Sequence, residues 1–288
     1  MSRHTLQLKR RQVLFGLLPL WPAAHAQAEL ADLDRVRARG TLKVALYKDN
    51  APFSGNVPGG GMQGLDVAIA AALAREMGLQ LALLPFDADE NMNDDLRNMV
   101  WRGHYLGYGP ADVMLHVPVD KYLMQENRQA LIFAPYMREQ VVLAHDVRRV
   151  PEVRAAEDLK GLPLAVERGT GAASALMGHG GGLLRADVHL YPSGPEAVKA
   201  VLEGKAAAAY VTRAQAESVL SKAEPKPGDI RLTPLQLRGV PDGWPIGLAI
   251  KAENRKLGEA LETALQSLRS KGELLAIFQQ QGLTLTAP

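Results

Sequence analysis

The sequence predicts an α/β protein of two lobes, each a mostly parallel sheet flanked by helices. Three observations carry that reading. Strand-like apolar runs alternate with helical ones along the chain, the order expected of helices packed on parallel strands. The strand–helix set restarts near Asp158, and a lone strand-like run returns late, at residues 246–250. A set repeated twice with a return strand near the end means two lobes joined by two crossovers: a discontinuous first lobe (29–140 and 240–288) and an inserted second lobe (141–239).

The elements follow in order. Residues 30–39 read as a short amphipathic helix stopped by Gly40. Residues 42–46 are the first strand, followed by a Pro52-Phe53 turn and a glycine-rich loop. Leu65, Ala68, Ile69, Ala72, Leu73 and Met77 then recur at the spacing of a core-facing helical stripe, and Gly78 ends it. Residues 79–86 form the second strand, 94–102 a helix and 113–117 the third strand, after which Phe133-Ala134-Pro135-Tyr136 falls on a loop. The apolar run 141–144 crosses into the second lobe. There the strand 164–166 leads through Gly169-Thr170-Gly171 into a helix over 172–177. Strands at 188–191 and 207–211 alternate with helices at 196–202 and 213–222, and Pro225-Lys226-Pro227-Gly228 breaks the chain. The return strand precedes two C-terminal helices, 257–269 and 272–281.

The first 28 residues read as an export leader and not as part of the fold. Arg3, Lys9, Arg10 and Arg11 form a basic start, residues 13–21 an apolar run of nine, and Ala24-His25-Ala26 or Ala26-Gln27-Ala28 a cleavage pattern. That run falls short of the ~20 residues needed to cross a hydrocarbon core. The pair Arg10-Arg11 followed by Gln12-Val13-Leu14 resembles a twin-arginine export signal. A periplasmic location is therefore expected, with no membrane span in the mature chain. The net charge of +2 belongs to the leader: removing its four positive charges leaves about −2, and no argument for nucleic acid survives. The chain has no cysteine, which excludes disulfides, thiolate metal sites and cysteine nucleophiles.

Several motifs in this order and spacing resemble the periplasmic solute-binding proteins of the amino-acid-binding type (family 3). They are Gly40-Thr41-Leu42, Pro52-Phe53, Gly64-Leu65-Asp66-Val67, Asp158-Leu159-Lys160-Gly161 and Arg168-Gly169-Thr170. The resemblance runs from Gly40 to about Gly282. It implies the type II periplasmic binding-protein fold, hinge closure on a small molecule between the lobes, an ABC transporter permease as partner, and neither cofactor nor metal. A second pattern is Leu96-Arg97-Asn98, Gly103 and Asp112-Val113-Met114-Leu115-His116-Val117-Pro118. It is similar to the J-type accessory proteins of methanol dehydrogenase, which implies a periplasmic quinoprotein dehydrogenase as the alternative partner and a maturation or chaperone role without a small-molecule ligand. The chain departs from that pattern by an insertion at 104–109 and by His116 in place of glycine.

The resemblance also directs attention to ligand anchors. Amino-acid binders fork the ligand carboxylate with an arginine six residues before a Phe-Ser-x-Pro-Tyr motif. Here Arg128 stands five before Phe133, and the motif is one residue shorter. The aspartate that pairs the ligand ammonium falls near Thr212, which argues against an ordinary α-amino acid as ligand. Phe53 and Tyr136 follow strand ends and are read either as cleft walls or as packing. Gly169 and Thr170 open a helix, so they either offer N–H groups to an anion or simply cap it. His116, near the end of the third strand, is assigned to the loop the strand leads into, as a ligand donor, a pH sensor or an ordinary exposed histidine. The acidic run 87–95 lacks the glycine and glutamate of a calcium loop and is read as helix capping. Hydrolytic catalysis has no supporting motif. No catalytic residue is expected, and a cleft-based dehydratase-type enzyme is the contrasting class.

Overall fold

The computed structural model describes residues 32–224 and 228–288; the expected leader and Pro225-Lys226-Pro227 lie outside them. In chain order the elements are α1 (Asp32–Arg39), β1 (Thr41–Tyr47), a small three-stranded sheet of β2 (Asp49–Asn50), β3 (Ser54–Asn56) and β4 (Met62–Gln63), α2 (Leu65–Glu76), β5 (Gln80–Phe86), α3 (Met92–Leu96), β6 (Val113–Pro118), α4 (Lys121–Glu126) and β7 (Ala130–Glu139). There follow β8 (Val141–Asp146), β9 (Leu164–Glu167), α5 (Gly171–Gly178), β10 (Val188–Tyr191), α6 (Gly194–Leu202), β11 (Ala208–Thr212), α7 (Arg213–Leu220) and β12 (Ile230–Thr233). The chain closes with β13 (Trp244–Lys251), α8 (Arg255–Ser270) and α9 (Glu273–Gln280).

Two five-stranded sheets result, ordered β5-β1-β6-β13-β7 and β10-β9-β11-β8-β12. Both are mixed in the same way. β5, β1 and β6 are parallel, while β13 runs antiparallel to its neighbours β6 and β7. β10, β9 and β11 are parallel, while β8 runs antiparallel to β11 and β12. Half of the ladder in each lobe is therefore antiparallel, more than the expected mostly parallel sheet. The difference lies in the crossover strands β8 and β13, which each enter a sheet against its direction.

Period-two alternation builds the first lobe's two faces. Leu42, Val44 and Leu46 of β1 point into one core with α2, α8 and α9, whereas Ala45 and Tyr47 point into the other with Phe86, Leu96 and Met114. The amphipathic stripe of α8 supplies Leu257, Leu261, Leu265 and Leu268 to the first of these, all buried. The helix expected over 94–102 begins earlier, capped by Asn91, whose side chain accepts from the Asp94 N–H, and continues as a π turn over Arg97–Trp101.

Phe133-Ala134-Pro135-Tyr136 lies inside β7 and not on a loop. A proline concealed the strand, but β7 is an edge strand, where a missing N–H costs no ladder bond. The ladder around this point is irregular. Leu248 of β13 pairs with Phe133 and Ile246 with Met137, so three residues of β7 face Gly247 alone. The β6 side skips as well, between Gly247↔Val117 and Ala249↔Met114. At these bulges His116 has φ 62 and Ala134 φ 48, left-handed values that histidine adopts more readily than most residues and that are costly for alanine.

Gly247 makes the crowding possible. A Cβ there would stand 2.5 Å from the Phe133 carbonyl oxygen, 2.8 Å from Val119 Cγ2 and 3.1 Å from Pro135 Cα. Gly247→Ala is expected to cost about 2–4 kcal/mol, seen as a lower Tm, with the backbone neighbours unable to give way. Gly40→Ala, which meets open space but carries φ 68, should cost only about 1 kcal/mol.

Candidate functional site

The cleft end of the first sheet is where β1 and β6 finish and β13 begins, because β13 runs against them. A cavity of about 390 Å³ opens there, lined among others by Tyr47, Lys48, Asp87, His116 and Trp244. Parallel strands of α/β folds present ligand sites at this end.

Behind the wall stands a hydrogen-bonded cluster. Asp66, in the first turn of α2, has no exposed surface. The Tyr136 hydroxyl donates to its Oδ1 at 2.6 Å, and His116 Nδ1 lies 2.9 Å from its Oδ2. The His116 backbone N–H in turn donates to the Tyr136 hydroxyl at 3.2 Å. Phe53 packs its ring against the imidazole, centroids 4.2 Å apart. With Nδ1 held by the carboxylate, Nε2 is the ring nitrogen left for the cavity that His116 lines. Burial, followed by the Asp66 charge and hydrogen bond, pushes the Tyr136 phenol well up, so it stays a donor.

Tyr47 forms a second, similar pair: its hydroxyl donates to Asp95 Oδ2 at 2.7 Å. Burial raises the Asp95 carboxyl, against the Asp89 N–H and the Tyr47 hydroxyl that favour its charge. Burial and the Asp95 charge drive the Tyr47 phenol far up. Part of the acidic run 87–95 therefore does more than cap a helix.

Glu139 ends β7 at the crossover and is only 3% exposed. Its Oε1 accepts from the Gln140 N–H at 2.9 Å, while Oε2 has no hydrogen-bond partner. Burial pushes its carboxyl up to about 7. The Gln140 N–H, the His116 charge, the Thr212 hydroxyl and the Ala214 N–H all act in the opposite sense. Thr212 and Ala214 come close enough to act on the charge, yet neither closes a bond with Oε2.

The second lobe presents helix N-termini. Thr170 caps α5: its hydroxyl accepts from the Ala173 N–H at 3.1 Å and donates to the Glu167 carbonyl at 2.9 Å. Thr212 caps α7 through a reciprocal box with Gln215. Glu167 Oε2 accepts from the Gly194 N–H at 2.9 Å and from Gln215 Nε2 at 2.7 Å, tying the starts of α6 and α7 together. A Cβ on Gly194 would collide with the Gln215 amide.

The structure thus brings Phe53, His116, Tyr136 and, through Glu139, Thr212 to one neighbourhood. Phe53 and Tyr136 back the wall and do not face the cavity. His116 belongs to β6 and is largely buried, correcting its placement on an exposed loop. Gly169 and Thr170 sit on the second lobe at the start of α5. Arg128 does not join them. It is exposed and precedes Ala130, which pairs with Lys251 at the far end of the sheet from the cleft. Asp66 and Glu139 are the buried acids of this candidate site, and neither stands out in the sequence. A charged residue at a helix start reads as an ordinary dipole partner, and nothing local marks Glu139 as buried. Among the described residues no group of His, Asp and Glu converges as a metal site, and no helix is long and apolar enough to cross a membrane.

No family model matches the chain. The cyclohexadienyl dehydratase of Pseudomonas aeruginosa is 29% identical over 122 residues, a stretch spanning 42% of this chain and only 41% of the dehydratase. Solved structures match over far more of the molecule. An ancestral cationic amino-acid solute-binding protein superposes with TM-score 0.69 at 20% identity, covering 87% of this chain and 99% of its own. A polar amino-acid ABC uptake transporter substrate-binding protein from Streptococcus thermophilus gives 0.67 at 17%, covering 92% and 94%. An amino-acid ABC transporter substrate-binding protein from Streptococcus pneumoniae, bound to L-arginine, gives 0.61 at 20%, covering 89% and 100%. The class of fold is therefore the two-lobed α/β fold of the solute-binding proteins.

Glu139 makes a pH signature. The folded chain keeps a proton that an unfolded glutamate releases near pH 4.5, so this group's contribution to stability falls as pH rises from there through about 7. Glu139→Gln removes that loss. Its stability relative to the parent should grow by on the order of 3 kcal/mol between pH 4 and 8, measured by urea unfolding across that range.

Proposed function

We propose that the protein is a periplasmic solute-binding protein that closes its lobes on a small molecule and presents it to an ABC-type membrane transporter. The observation that carries this reading is the His116 imidazole, fixed by a fully buried carboxylate and lining an open cavity at the cleft end of the first sheet. Fixing a side chain in advance lowers the cost of binding. The fold shared with transporter-associated binding proteins supports the assignment.

The lining also limits the ligand. Arg128 is remote, and the cation at the wall, Lys48, is already paired with Asp87 at 2.8 Å. A carboxylate fork of the amino-acid type is not assembled there. A solute carrying hydroxyl or other neutral polar groups fits His116 Nε2 and the flanking Trp244 better than a zwitterion does. Delivery to a quinoprotein alcohol dehydrogenase, or an accessory role without ligand, rests on the sequence pattern around Arg97 and Asp112–Pro118 alone.

A second reading is a dehydratase-type enzyme. It is favoured by the partial match to cyclohexadienyl dehydratase and by a buried carboxyl, Glu139, close enough to the His116 imidazole for that ring to act on its charge.

Native mass spectrometry of the protein purified from its own cell envelope tests these readings. A stoichiometric small molecule is expected, and His116→Ala should weaken its binding by roughly tenfold or more. A co-purifying quinoprotein dehydrogenase without a small molecule would instead favour the accessory role. Release of water from an added cyclohexadienyl acid would favour the enzyme.

A further inference from the structure

Glu139 occupies the point where the chain leaves the first lobe, with Gln140 alone between it and β8 of the second sheet. Part of the cover over its carboxyl comes from the other lobe. Thr212 and Ala214, at the start of α7, face it, and Ala214 packs into the first lobe's core. No ion pair reaches it among the described residues. The charged groups around it are few. From β6 comes His116, whose Nδ1 is committed to Asp66. From α7 comes Arg213, whose guanidinium lies 3.4 Å from Glu217. On β7 itself, Arg138 donates to the Asp242 and Gly243 carbonyls. Opposite, β13 offers Trp244, which carries no charge.

A carboxylate so enclosed, with one oxygen unpartnered, is costly, and lifting α7 away would give it water. The seated arrangement therefore favours the neutral acid and the lifted one the anion. A proton then acts as a ligand with different affinities for two conformations, and it shifts their populations by that difference.

We propose that the crossover is a proton-operated hinge: seating the second lobe over Glu139 takes up a proton, and ionising Glu139 opens the lobes. The inference rests on the hinge-closing reading above and adds a direction to it. Acid closes the protein on its solute and alkali releases it.

Small-angle X-ray scattering of the solute-free protein from pH 5 to 9 tests the hinge. The radius of gyration should rise through neutral pH in the parent, while Glu139→Gln stays compact throughout. His116→Asn provides a second reading, because Asn tolerates a positive φ and the change removes the imidazole whose charge favours ionised Glu139. The midpoint should then move upward by about one pH unit. A radius independent of pH in the parent would overturn the proposal, and so would a transition that survives in Glu139→Gln or fails to move in His116→Asn. No solute is present, so a flat titration removes the proton hinge and leaves solute binding standing.

Discussion

A carboxylate with no access to water sits at the start of α2, and much of the first lobe is arranged around it. Removing Asp66 from solvent is tolerable only if its oxygens are partnered. Tyr136 and His116 supply those partners from two different strands. Neither strand reaches Asp66 in regular geometry. β7 bulges so that three of its residues face one of β13, and β6 places His116 in the left-handed region. Bulges re-aim side chains in this way beside functional sites. Both irregularities converge on Gly247, where any side chain would meet the Phe133 carbonyl. The buried Asp66 carboxyl thus fixes the Tyr136 hydroxyl and the orientation of the imidazole at the cleft, beside the bulges that Gly247 permits.

The two walls of the cleft are built by different means. The first lobe uses side chains: His116, Tyr47 and Trp244 on the cavity, with Phe53 and Tyr136 behind. The second lobe spends its polar side chains on its own backbone. Thr170 and Thr212 cap helices, and Glu167 occupies the helix starts of α6 and α7 where a bound anion would otherwise sit. What α5 leaves to a ligand is backbone.

Much of the architecture was legible because it obeys period. The alternation of β1 and the stripe of α2 place their residues by spacing alone, and the restart near Asp158 announces the second sheet. Local signals failed where tertiary context overrode them. Pro135 reads as a strand breaker unless β7 is known to be an edge. His116 reads as a loop histidine because nothing nearby in sequence announces Asp66, fifty residues away. Arg128 drew attention through its distance from Phe133, a spacing that ignores α4 and the direction in which β7 runs. Charge burial is a property of packing, so Asp66 and Glu139 emerge only in three dimensions.

The position of Glu139 joins these observations. Its strand carries the Tyr136 bulge toward the first lobe's core, and its own carboxyl meets the start of α7 from the second. Ala214 is buried among first-lobe residues, so α7 is an element of the second lobe that docks on the first. In the proposed closure, a rotation about the crossover would separate that contact. Hinges are the few residues that absorb such motion. The crossover holds an ionisable group, partly unpartnered, inside that contact. If the crossover is the proposed hinge, the energetic cost of closing depends on whether that group is charged, whatever solute the cleft holds.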